Sequence, residues 1–108
     1  MNLFQKGLTK YLTAQQLKDL RNVKIGIGGA GGLGSNLAVL LMRTGIEHLE
    51  VLDGDIIEVS NLNRQAYILD DIGKKKTAVL KRSLLKINPD ADIVTRHARW
   101  SLANAAQF

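Results

Sequence analysis

The sequence predicts an α/β fold with a doubly wound, mainly parallel sheet, and three stretches predict it. Val23-Lys24-Ile25-Gly26-Ile27 is a β-branched, largely apolar strand, and it runs into a glycine-rich turn that ends at Gly34. An apolar run follows and closes at Gly45. Leu49-Glu50-Val51-Leu52 then makes a second strand that stops at Asp53. Strand, helix and strand in about 30 residues form a parallel βαβ unit, the arrangement that cradles nucleotides in open sheets.

Taken in order, Met1 to Tyr11 mixes Leu3, Phe4 and Leu8 with basic residues without a clear period and reads as an arm packed on another part of the chain. Thr13 with Gln16 three residues on is a capping box, and Leu17 with Leu20 supplies a short apolar face, so a helix is expected from about Ala14 to Leu20. Residues 1–22 are thus an N-terminal arm with a short helix, and residues 23–108 the α/β domain.

In the turn, Gly29, Gly31 and Gly34 fit G-x-G-x-x-G. The first glycine allows a tight bend, the second lets backbone N–H groups approach phosphate, and the third lets helix pack on strand. Gly26, Gly28 and Gly31 fit the same pattern one turn earlier. That register starts the helix at Gly32 and buries less of the apolar run, so the later one is preferred. Leu37, Leu40, Leu41 and Thr44 are expected to form the core face, with Gly45 as the residue after the helix. Asp53 lies 19 residues after Gly34, at the carboxyl end of the second strand, where an acidic residue accepts hydrogen bonds from ribose hydroxyls. Capping of the Asp53-Gly54 turn is the other reading. Asp55 reads as a turn residue or as an indirect partner of a cation.

Ser60 to Asp71 is polar and irregular, consistent with a turn of helix over the site. Leu80, Leu84 and Ile87 recur at helical spacing while Lys74, Lys75, Lys81, Arg82 and Lys86 take the other side. A helix is expected from about Lys74 to Ile87, stopping at Asn88-Pro89 because the residue before proline avoids the α region. Ile93 to His97 reads as a third strand at a sheet edge, and the residues from Ser101 as the start of another helix. His48 and His97 have no partner at metal-ligand spacing, and Trp100 reads as a packing residue.

The 108 residues are 45% hydrophobic, enough for one domain with a real core. No apolar run approaches the roughly 20 residues of a membrane span, no signal peptide is visible, and there is no cysteine, so the cytoplasm is the expected compartment. The net charge of +5 raises nucleic acid as a partner, but 5% aromatic content and no base-stacking platform disfavour it. Excess lysine on solvated helix faces accounts for the charge.

Four ordered motifs carry a family resemblance: the glycine turn, Leu-Asp-Gly-Asp at 52–55, Ser-Asn-Leu-Asn-Arg-Gln at 60–65 and Asp-Ile-Gly-Lys-Lys-Lys-Thr-Ala at 71–78. From about Leu17 to Ile93 the chain resembles the ubiquitin-activating-enzyme superfamily, most closely its bacterial ThiF/MoeB/HesA-like branch, whose members adenylate small sulfur-carrier proteins. The resemblance implies a Rossmann-like three-layer domain that takes ATP as substrate, with magnesium accompanying it. It implies Gly29, Gly31, Gly32 and Gly34 near the phosphates, Asp53 on the ribose with Asp55 beside it, catalytic Arg64 and Lys76 on the phosphates, and Asn61 and Gln65 supporting them. Salt-bridging to Asp53 or Asp55 is the competing reading of Arg64, plain solvation that of Lys76, and loop stabilisation that of Asn61 and Gln65.

The family's N-terminal Arg-Tyr-x-Arg-Gln pattern is absent; Lys10-Tyr11 stands nearest to it, at a different distance from the first strand, and no role is assigned to it. Family members continue to a fourth strand and a magnesium-holding aspartate that these 108 residues do not include. The expectation is therefore the N-terminal half of the sheet, about three strands in spatial order third, second, first, with little activity from these residues alone. The edge of the first strand would be left open to a second copy. A ubiquitin-like sulfur carrier of ThiS or MoaD type, in a thiamine or molybdopterin route, is the implied partner, and a homodimer the implied assembly. An NAD-dependent oxidoreductase and a non-catalytic nucleotide-binding or assembly unit are the alternatives.

Overall fold

The structure, a computed structural model, describes residues 1–99 and 101. The packing role expected of Trp100 and the helix expected beyond Ser101 lie outside the described residues. Strands β1 (Lys24–Gly28), β2 (His48–Leu52) and β3 (Asp92–Arg96) form one parallel sheet in the expected order, β1-β2-β3. Helix α3 (Gly32–Thr44) joins β1 to β2, and α4 (Lys76–Ile87) joins β2 to β3. Because both crossovers step in the same direction and right-handed connections are the rule, both helices fall on one face of the sheet. There Met42, Leu80 and Leu84 meet Ile27, Leu49, Val51 and Ile93 in the buried core. Each of the larger side chains contributes about 1.5–3 kcal/mol by leaving water. The other face is polar and partly exposed, with Glu50 paired to Arg96 at 2.7 Å and His48 to Asp92 at 3.3 Å.

The N-terminal residues are more ordered than an aperiodic arm. They form α1 (Leu3–Leu8) and α2 (Ala14–Arg21). Asn2 and Gln5 make a capping box on α1, as Thr13 and Gln16 do on α2. The Asn2-x-x-Gln5 spacing was the available signal. Beyond capping, Asn2 Nδ2 donates to Asn88 Oδ1 at 2.7 Å, while Gln5 Nε2 donates at 2.8 Å to Glu47 Oε1, which also pairs with Arg21. These contacts brace both helices against the start of β2 and the end of α4.

Two expectations for α3 need correction. It begins at Gly32, where the earlier glycine register would have put it. The glycines nonetheless act in the later register: Gly29 has φ +110°, and a Cβ on Gly34 would sit 1.9 Å from the Gly29 carbonyl oxygen. The core face also differs. Leu37 is 40% and Leu40 62% exposed, and Thr44 is exposed, whereas Ser35, Ala38 and Met42 are buried and Leu41 is partly so. This helix is apolar almost all round, so periodicity does not choose its face. The close helix-strand contact at Gly34 does, and it turns the small Ser35 and Ala38 inward. Helix α4 starts at Lys76 rather than Lys74 and ends before Pro89 as expected.

Candidate functional site

The glycine turn leaves β1 and enters α3 with no side chain capping the helix. The first-turn N–H groups of Gly32, Leu33 and Gly34 are therefore free of the usual cap, at the positive end of a 13-residue helix, and together they suit an anion. Three residues hold the turn in shape. Tyr67, buried, donates from its hydroxyl to the Ala30 carbonyl at 2.6 Å. Ser35 Oγ donates to the Gly31 carbonyl and accepts from Ala66 N–H at 3.1 Å. Asn36 Nδ2 reaches both the Gly32 and the Arg64 carbonyls, tying the turn to the loop that carries Arg64. None of the three belongs to a motif, and nothing in the sequence marks Tyr67.

Asp53 closes the turn from the end of β2. Its Oδ2 accepts from Ala30 N–H at 2.8 Å and its Oδ1 from Asp55 N–H at 2.7 Å. The capping role is real, and each oxygen keeps a further lone pair for a ribose hydroxyl. Together with Gly28, Gly29 and Ala98 it lines a cavity of about 210 Å³. A second cavity, of about 350 Å³, is lined by Asp55, Asn61 and Lys76 among others.

Lys76 is 5% exposed, whereas Lys74 and Lys75 are solvated. Asp55 Oδ2, 3.9 Å from its Nζ, is the one carboxylate oxygen at ion-pair distance among the described residues. Arg64 is exposed, has no carboxylate at that distance among the described residues, and lines neither cavity. Its guanidinium donates to the Ser60 carbonyl and to Asn63 Oδ1, each at 3.1 Å, and its stem lies over Gly32, 3.4 Å from where a Cβ would be. Asn61 Oδ1 accepts from Glu58 N–H, which stabilises the loop. Gln65 differs. Its carboxamide is buried against Gly31, and its Oε1 has no hydrogen-bond partner among the described residues. A buried polar group left unpaired costs about 1–3 kcal/mol, so Gln65 Oε1 keeps an unspent hydrogen-bond acceptor beside the turn. The candidate residues thus form a chain of contacts around the turn, with Gln65 and Arg64 on one side and Asp53, Asp55 and Lys76 on the other.

Tyr67 also makes the turn sensitive to alkali. Burial first, then Asp53 and Asp71, push its pKa well above the ordinary value of about 10. The folded protein holds the phenol proton where the unfolded chain has lost it. Tyr67 therefore stabilises fully below about pH 10, and that contribution is lost as pH rises through the folded-state value. Tyr67→Phe is expected to lower unfolding free energy by about 1 kcal/mol at neutral pH and to flatten the decline of stability at high pH. Urea titrations at a series of pH values measure both effects, and an unchanged alkaline slope would remove Tyr67 as its source.

An open parallel sheet, a glycine turn entering an uncapped helix and a carboxylate closing it from the next strand define a βαβ domain of the Rossmann-like class. Within that class the chain belongs to the ThiF family, whose model matches residues 5–108. It is 36% identical over 106 residues to a probable molybdopterin-synthase adenylyltransferase of Porphyra purpurea, covering 93% of this chain and 28% of that protein. Among solved structures it resembles E. coli MccB with ATP, at 35% identity and TM-score 0.80 over 84% of this chain and 28% of that one. It also resembles E. coli TcdA, a tRNA N6-threonylcarbamoyladenosine dehydratase, in complex with AMP, at 30% identity and TM-score 0.87 over 94% of this chain and 42% of that one. The chain thus spans less than half the length of each.

Among the described residues no helix is long and apolar enough to cross a membrane, and no group of three His, Cys, Asp or Glu side chains is placed to hold a metal.

Proposed function

We propose that this chain is the nucleotide-binding part of an ATP-dependent adenylyltransferase that activates the C-terminal carboxylate of a ubiquitin-like sulfur-carrier protein, of the ThiS or MoaD kind. Buried Lys76 carries this reading, because a lysine 5% exposed that lines a cavity with one carboxylate at 3.9 Å suits an incoming anion. A relative that is an adenylyltransferase by name and solved relatives holding ATP or AMP support it. Residues 23–108 carry the site and residues 1–22 brace it. In this scheme the ribose sits on Asp53 and the phosphates lie along Gly29, Gly31, Gly32 and Gly34, with Gln65 and Asn61 behind them. A carboxylate oxygen of the carrier attacks the α-phosphorus, the bond to the bridging oxygen breaks, and pyrophosphate leaves. Negative charge on the phosphoryl oxygens peaks as the acyl-phosphate bond forms, and Arg64 and Lys76 are the donors that meet it. Magnesium, where it accompanies ATP, neutralises phosphate charge.

Equilibrium titration with ATP and with NAD tests the site. ATP is expected to bind and NAD to bind far more weakly; the reverse order would favour a dinucleotide oxidoreductase, which leaves Lys76 and Arg64 without a task. Activation of a tRNA base is the second reading, favoured by the likeness to TcdA. Pyrophosphate exchange that depends on a carrier protein, against exchange that depends on tRNA, separates the two. The proposal includes a homodimer, with the open edge of β1 and the exposed Leu33, Leu37 and Leu40 as available apolar surface. Sedimentation equilibrium tests it, and a monomer at high concentration would exclude it.

Asp53→Ala is expected to weaken ATP binding by about 1–3 kcal/mol. The same change strips acceptors from Ala30 and Asp55 N–H, so unfolding free energy should also fall by about 1–2 kcal/mol. Calorimetric titration beside urea denaturation reads both. Lowered stability with unchanged ATP affinity would leave Asp53 as a turn cap only.

A further inference from the structure

Asp55 stands between two cations at the edge of the site. Lys76 Nζ lies 3.9 Å from its Oδ2, and Arg99 Nη2 lies 3.8 Å from its Oδ1, so each oxygen faces a cation from a different element. The backbone fixes all three. Asp55 N–H donates to Asp53 Oδ1, and its carbonyl accepts from Lys76 N–H at 3.2 Å. On the other side, Asp53 N–H donates to the Arg96 carbonyl and Ala98 N–H to the Asp53 carbonyl, each at 3.1 Å. The segment after β3 therefore runs directly over Gly54, where a Cβ would lie 2.8 Å from Arg99 Cγ. Arg99 lines both cavities, the one beside Gly29 and Asp53 and the one beside Asn61 and Lys76.

Both separations exceed the roughly 2.7–2.9 Å of a direct charge-assisted hydrogen bond. Asp55 places negative charge beside buried Lys76 without making a close hydrogen-bonded pair with either cation. A phosphate chain brings more negative charge and several acceptor oxygens, and can take direct hydrogen bonds from both cations at once. Glu58, the other carboxylate lining the Lys76 cavity, adds to the negative charge that phosphate must displace.

We propose that Asp55 is a stand-in anion for the phosphate chain, and that Arg99, with Lys76, receives the phosphates when Asp55 gives them up. Asp55 then opposes phosphate binding through its charge, and Arg99 is a phosphate-binding residue supplied by the segment after β3. The inference rests on the phosphate-binding reading of the site and not on the chemistry that follows binding.

Calorimetric titration of the wild-type chain, D55N and R99Q with inorganic pyrophosphate, ATP and adenosine, in the absence of divalent metal, tests it. The Arg99 side chain is 87% exposed, so R99Q is expected to fold. D19N, on α2 away from both cavities, controls for net charge. D55N should bind pyrophosphate about five to ten times more tightly and R99Q about five times more weakly, with D19N unchanged and adenosine affinity the same throughout. Equal or weaker pyrophosphate binding by D55N, wild-type binding by R99Q, or no pyrophosphate binding by the wild type would overturn the proposal. If ATP binds the wild type but neither variant departs from it, this inference fails and the adenylation reading stands. If the variants shift pyrophosphate as expected while ATP binds no better than pyrophosphate, the inference stands and the nucleotide reading fails.

Discussion

On the proposed adenylation, alanine in place of Lys76 is expected to cut carrier-dependent exchange of labelled pyrophosphate into ATP by roughly a hundredfold or more, while ATP affinity falls far less. The difference arises because only interactions that strengthen on the way to the transition state accelerate the chemistry. In the proposed reaction the charge that Lys76 would meet is greatest as the acyl-phosphate bond forms, and its burial would keep water from screening it. Arg64→Ala should fall in the same range. The Arg64 guanidinium rests on Ser60 and Asn63, so in the proposed reaction its contribution would depend on swinging across Gly32 toward the phosphates. Lys74→Ala and Lys75→Ala serve as controls, since both side chains are solvated and lie before the helix. Equal losses at Lys74, Lys75 and Lys76 would mean that the basic run acts as diffuse charge, and the assignment of Lys76 would be withdrawn.

Gly34→Ala is expected to be the most damaging single change to the fold, lowering unfolding free energy by about 3 kcal/mol or more. A Cβ there meets backbone, with the Gly29 carbonyl oxygen at 1.9 Å and its carbon at 2.8 Å, so no rotamer change relieves the clash. Either α3 lifts from β1 or the turn opens, and both remove the anion cradle. Gly28→Ala is the matched control. No atom lies within 4 Å of a Cβ there and its φ is not positive, so it should be neutral or stabilising by up to about 1 kcal/mol. Urea midpoints at constant m-value measure both. A Gly34→Ala protein as stable as wild type would show that the turn can move away from the helix and is not rigidly held against it.

How much of this was legible in the sequence varies from element to element. Strands β1 and β2 were visible because apolar runs bounded by glycine and by Asp53 have few other folds open to them. The parallel order followed from crossover handedness. The end of α4 was fixed by Pro89, and the start of α2 by Thr13 and Gln16, since both signals act within one turn of chain. Helix α3 was visible as a helix but not by face. Leu33, Leu37, Leu40 and Leu41 share one face, yet the opposite face of Ser35, Ala38 and Met42 is the buried one, a choice made by backbone contact with residues close in sequence but arranged only by the fold. Spacing from the glycine turn pointed to Asp53, and the family resemblance to Arg64, Lys76 and Gln65, yet neither could show that Lys76 is buried beside solvated Lys74 and Lys75, or that Gln65 Oε1 has no hydrogen-bond partner among the described residues.

By itself, then, the sequence determined the βαβ plan, the position of the glycine turn and the place of Asp53 at the end of the second strand, because those depend on local backbone preference and on the spacing of apolar residues. Only the tertiary structure decided which face of α3 meets the sheet, that Tyr67 and Ser35 hold the turn, and that Arg99 comes to Asp55 from the far side of β3. The first depends on how closely α3 approaches β1 at Gly34, and the other two on distances between segments more than 30 residues apart, which packing sets and no local pattern encodes.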